Sequence, residues 1–169
     1  GWAAMAPAYP EEEIALKVNT HMLDRIGAFS DNIRDAVRGP LGCENAGFMD
    51  GVAGNKENVE FGIAGGVEHP QVSVERWTNN PLQHVSYVSC HDDHCLRDRL
   101  EEATKASEEE RLAMVKLAQT AVYTSQGIPF LWAGEEAFRD KKGVHNSYNQ
   151  PDSINQIDWS RLMEYPELF

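Results

Sequence analysis

The chain has 169 residues, 41% hydrophobic and 25% charged, a balance that suits a globular protein with one core. Acidic residues outnumber basic ones 27 to 15, and the resulting net charge of −12 repels phosphate backbones and anionic membranes, arguing against nucleic acid or a membrane surface as partner. No apolar run approaches the roughly 20 residues that cross a bilayer, and three cysteines, Cys43, Cys90 and Cys95, cannot all pair within the chain.

The first expected element is a helix over residues 10–26. Pro10 suits a first turn, Glu11, Glu12 and Glu13 sit at the positive end of its dipole, and Ile14, Val18, Met22 and Ile26 recur every four residues. Gly27 is placed to stop it. Ala28-Phe29-Ser30 then reads as a very short strand, with a helix over 32–37 behind it. Residues 39–66 hold most of the glycines and read as a long loop broken by a short helix over 56–61.

Residues 85–90 have strand character and run directly into His91-Asp92-Asp93-His94. The clearest helix spans 107–126: Ser107 and Glu110 form a capping-box pattern, while Leu112, Val115, Gln119 and Val122 lie along one side. Gly127 ends it. Residues 128–132 form a short, wholly apolar strand of the kind buried in a parallel sheet. A polar stretch follows, with Glu135, Glu136 and Arg139, then a loop rich in amides and hydroxyls over 143–158. Strands alternating with helices predict an α/β protein with parallel strands, in which residues just past the strand ends form the site. His91-Asp92 and Glu135-Glu136 stand at two such ends and are expected on one face.

The densest polar cluster, Cys90 to Cys95, invites a metal. Adjacent residues in extended chain point to opposite sides, so contiguous donors do not all meet at one centre, and no CxxC or HxxxH spacing appears elsewhere. No metal ligand is therefore assigned, and zinc retained after dialysis would favour the rival reading on His91 and His94. Carboxylates at strand ends suit glycoside hydrolysis, whose transition state carries oxocarbenium-like positive charge. Asn146, Ser147, Tyr148 and Asn149 fit a carbohydrate's hydroxyls and apolar faces, and fit an ordinary turn-rich loop equally well.

Longer motifs narrow this choice. Phe29-Ser30-Asp31-Asn32-Ile33-Arg34-Asp35-Ala36-Val37-Arg38-Gly39, Tyr87-Val88-Ser89-Cys90-His91-Asp92-Asp93, Ser125-Gln126-Gly127-Ile128-Pro129-Phe130 and Asn146-Ser147-Tyr148 resemble type I pullulanases, as do Pro151-Asp152-Ser153-Ile154-Asn155 and Ile157-Asp158-Trp159. These are the α-1,6-glucan debranching branch of the alpha-amylase superfamily. The resemblance covers nearly the whole chain. It implies one segment, residues 1–169, of a catalytic (β/α)₈ barrel, running from after strand five through strand eight and incomplete at both ends. An average barrel of that kind takes about 250 residues.

By that likeness Asp92 is the transition-state-stabilising aspartate and His91 assists it on the sugar. Glu136 and Arg139 fall at sugar contacts beyond the cleavage point, Trp2 at a mobile stacking tryptophan, and Asn146 and Tyr148 in the glucan-facing loop. The family's general acid precedes Gly1 and its nucleophile lies earlier still, so the chain alone is expected to be inactive. Cys95 and Arg97 depart from a usual threonine and aromatic. The resemblance implies an α-glucan substrate and no cofactor, and calcium in a longer parent is not assignable to residues here. Isoamylase-like or α-1,4-cleaving enzymes and a non-catalytic glucan-binding module are the alternatives. Exposed apolar faces and raw strand edges predict self-association. No leader pattern is visible at an N-terminus that lacks methionine, and the compartment, cytoplasmic or exported, stays open.

Overall fold

The computed structural model describes residues 9–10, 13–42 and 45–169. Trp2 and Cys43 lie outside them. The expected α/β pattern is present: a three-stranded parallel sheet with helices packed beside it. β1 (Ala28–Phe29), β2 (His84–Ser86) and β3 (Ile128–Pro129) stand in that order, with Ala28 opposite His84 and Val85 opposite Ile128. Gly127 brings β3 against β2, since a Cβ there would lie 2.4 Å from the carbonyl oxygen of His84.

Helix α1 (Asp31–Arg38) begins where Ser30, as N-cap, accepts from the Ile33 N–H. It ends at Gly39, whose φ of 89° places it in the region that favours glycine. The helix behind it, α2 (Lys56–Ile63), packs most of its contacts on α1. Helix α4 (Glu108–Tyr123) carries the expected capping box, with Ser107 Oγ accepting from the Glu110 N–H and Glu110 accepting from the Ser107 N–H. Ile33, Val37, Leu96, Leu100, Val115 and Val122 form the centre of the core, all nearly inaccessible. Burying each such side chain stabilises the fold by roughly 1.5–3 kcal/mol.

Three expectations are corrected. In place of a helix over 10–26 there is a 3₁₀ turn, Lys17–Met22. Val18, Met22 and Ile26 are all exposed, and among the described residues their stripe meets no surface to pack against, while packing supplies most of a helix's stability. Instead the carbonyls of Thr20 and Leu23 both accept from Gln83 Nε2. The strand expected over 128–132 shrinks to Ile128–Pro129, both exposed, and the one expected over 85–90 is His84–Ser86, so His91 stands on a loop past its end. In addition, a helix that was not expected, α3 (Leu96–Ala103), follows the His91–His94 cluster. Among the described residues no helix is long and apolar enough to cross a membrane.

Candidate functional site

The C-terminal ends of the three strands meet in an aromatic cluster. Phe29 closes β1, Tyr87 follows β2 and Phe130 follows β3; Phe29 lies edge-on to the other two at 5.0 and 5.1 Å between ring centroids. The Tyr87 hydroxyl accepts from Arg34 and donates to Asp31, tying the end of β2 to α1. Parallel strands thus bring the loops after β2 and β3 to one end of the sheet.

On the first of these loops, His91 and Asp92 stand in solvent, with side chains 78% and 71% exposed and His91 Nε2 3.3 Å from Asp92 Oδ1. The next two residues turn inward. Asp93 is buried with φ at 66°, and Arg38 reaches from the end of α1 to hold its Oδ2 at 2.6 Å. Burial alone would push the Asp93 carboxyl up, but the Arg38 charge and hydrogen bond, the His94 N–H and His145 together bring it below its ordinary value. His94 is buried too, its Nδ1 3.4 Å from Asp93 Oδ1 and its Nε2 3.6 Å from Glu102.

The amide-rich loop joins the cluster through Asp93 rather than through Asp92. Asn146 accepts from the Asp93 N–H at 2.7 Å, and the Asn146 N–H donates to the Asp93 carbonyl at 3.3 Å. Asn146 itself has φ at 47°. His145 Nε2 is 2.8 Å from Asp93 Oδ1. Behind this loop Lys141 donates to Ser147 and Asn155, and Asn155 returns a bond to the Ser147 carbonyl. The Tyr148 ring projects into solvent, 84% exposed.

The loop after β3 divides in the same way. Glu135 is buried and accepts from Ser89, two residues before His91. Burial, then the charge of Glu136, pushes its carboxyl up to about 8, against the pull of Arg38. Glu136 is half-buried and accepts from the Gly134 N–H. The Arg139 guanidinium donates to the carbonyls of Ala133 and Asn155 and stacks on Trp132 at 4.5 Å. It also borders a cleft of about 190 Å³ with Lys142, Ser153, Ile157 and Arg161.

The two departures from the family pattern lie beneath this loop. Cys95 donates to the Arg139 carbonyl, and Arg97 pairs with Asp140 at 2.7 Å over the Phe138 ring. Sequence reasoning named the His91–Asp92 pair and the tail loop but missed Arg38, Glu135 and His145 as the groups that hold them. Glu135 was legible as a strand-end carboxylate but not as the partner of Ser89, and Arg38 offered no local signal because it acts on a residue 55 positions away.

No family model matches the chain. It is 35% identical over 169 residues to the pullulanase of Bacillus subtilis, an alignment covering 99% of this chain and 23% of that protein. With the chloroplastic pullulanase 1 of Arabidopsis thaliana it shares 29% identity, covering 80% of this chain and 18% of that one. Among solved structures, a mutant pullulanase from Paenibacillus barengoltzii in complex with maltotetraose superposes with a TM-score of 0.90 at 42% identity, over 95% of this chain and 25% of that one. The type I pullulanase of Bacillus subtilis complexed with maltose gives 0.91 at 34% identity, over 96% and 23%. The chain therefore spans about a quarter of the length of the relatives it matches. It is a type I pullulanase-like segment, sharing that family's sequence and fold over this stretch.

Proposed function

We propose that the chain forms part of the glucan cleft of a retaining glycoside hydrolase that cuts α-1,6 branch linkages in pullulan, starch or glycogen dextrins. One observation carries the reading. His91 and Asp92 are presented together to solvent at the sheet's C-terminal end, in a chain that superposes on pullulanases whose complexes hold maltooligosaccharides. Asp92 then faces the sugar at the cleavage point and stabilises the positive charge developing there, with His91 sharing its hydroxyls. Glu136, Arg139, Asn146 and Tyr148 line the approach, and Trp2 is assigned a stacking role by resemblance alone. The exposed Tyr148 ring suits stacking on a sugar face. Arg139 gives two donors to the carbonyls of Ala133 and Asn155, which shapes the loop it presents to the glucan.

On this reading the segment comprises strands six to eight of a (β/α)₈ barrel. Val18, Met22, Ile26, Phe29, Leu82 and Ile128, exposed on the flank and sheet side, are then surfaces that the rest of the barrel covers. Left alone, they drive self-association. Nucleophile and general acid are not among these residues, and a retaining mechanism needs both, about 5 Å apart. The purified chain therefore releases no reducing sugar from pullulan, while Asp92→Asn in a longer protein containing the whole barrel abolishes release. Turnover by the chain alone, lost on Asp92→Asn, would overturn the division of labour. Products of α-1,4 cleavage would overturn the linkage assignment.

A further inference from the structure

We propose that Asp93, His94 and His145 form a binding site for a divalent transition metal, with zinc the best-matched ion. Their donor atoms lie within 4.8 Å of one another. Asp93 Oδ1 sits 2.8 Å from His145 Nε2 and 3.4 Å from His94 Nδ1. Ligands about 2.0–2.1 Å from a tetrahedral zinc stand roughly 3.4 Å apart, so these two separations are close to coordination geometry. The half-exposed His145 ring lies tilted against the His94 ring, 4.9 Å between centroids.

The objection that neighbouring residues point to opposite sides fails for this pair. Asp93 has φ at 66°, which breaks the extended alternation and turns its carboxylate and the His94 ring into one space. The third donor is fixed independently, because two hydrogen bonds between Asp93 and Asn146 hold the residue after His145. Each inner donor has an outer partner: Glu102 faces the second nitrogen of His94, and Arg38 holds the second oxygen of Asp93. A carboxylate behind a metal-bound histidine fixes its tautomer and ring orientation. Two imidazoles and one carboxylate favour zinc, nickel or copper over calcium or magnesium, which take oxygen ligands. His145 opens to solvent, leaving room for water as the fourth ligand. The ion would clasp the loop after β2 to the amide-rich loop, beside Asp92 but independently of any role in glucan cleavage.

The test uses the untagged purified chain, loaded with zinc, dialysed and assayed for bound metal. One equivalent is expected, raising the thermal midpoint as free zinc increases. His145→Ala removes an exposed side chain and should lose the bound zinc; Cys90→Ser should keep it. Glu102→Gln, which leaves all three ligands in place, should weaken zinc binding about 10- to 100-fold. Cobalt bound in the same site should show visible d–d bands without a thiolate charge-transfer band. Substoichiometric zinc in the unmodified chain would overturn the proposal, as would full retention by His145→Ala or a cobalt–thiolate band.

Discussion

Four consecutive residues divide into two environments. His91 and Asp92 are in solvent, while Asp93 and His94 are buried among Arg38, Glu102 and His145. Residue type cannot account for this, since each pair holds one histidine and one aspartate. The left-handed backbone at Asp93 and the guanidinium waiting beneath it do. One pair is free to meet a ligand, and the other fixes the loop that presents it.

The contrast can be broken most severely from below. Arg38→Met leaves the Asp93 carboxylate buried without its cation and should cost about 3–5 kcal/mol, measured by urea unfolding. Replacing both partners with apolar residues should recover much of that loss; if it does not, the pair contributes more than mutual neutralisation.

Next in size is a pH effect from Glu135, the buried carboxyl beneath the same loop. Its folded-state value of about 8 lies above the ordinary value of roughly 4.3, so the folded chain binds this proton more tightly than the unfolded chain. Its contribution is fully present below about pH 4.3 and is lost as pH rises through 8. Denaturant midpoints between pH 5 and 8 should therefore fall, and Glu135→Gln should flatten that slope.

A smaller change is expected where the two loops meet. Asn146→Gly keeps the positive φ but deletes the bond from the Asp93 N–H, costing about 1 kcal/mol; Asn146→Ala adds backbone strain and should cost more. Smallest of all, Asp92→Asn should shift stability by no more than about 0.5 kcal/mol, because its side chain is 71% exposed and its contact with His91 is exposed too. A large loss of stability there would erase the distinction between the two pairs.

Local signals were legible where they were complete within a few residues. The Ser107–Glu110 box and the helix it opens could be read directly, as could the short helix after Ser30 and the alternation of strands with helices. Helix α3 was not. Its N-cap Cys95 makes no side-chain capping bond, and two of its buried residues, Asp98 and Arg99, look like surface residues in sequence. Arg99 is buried because its guanidinium serves the carbonyls of Arg38, Gly42 and Asn45. Conversely, the period-four stripe from Ile14 to Ile26 promised a helix, but the described structure gives its exposed members no partner surface.

The α/β alternation, the loop after the second strand as the place of the His91–Asp92 pair, and the likeness to pullulanases were written in local stretches, because capping, periodicity and motif identity are local. Packing in three dimensions set which aspartate faces solvent, that Arg38 holds Asp93 while Ser89 meets Glu135, and that His145 joins Asp93. Those are contacts between residues some fifty positions apart. Their energies depend on burial and distance, and neither is written in the order of the residues.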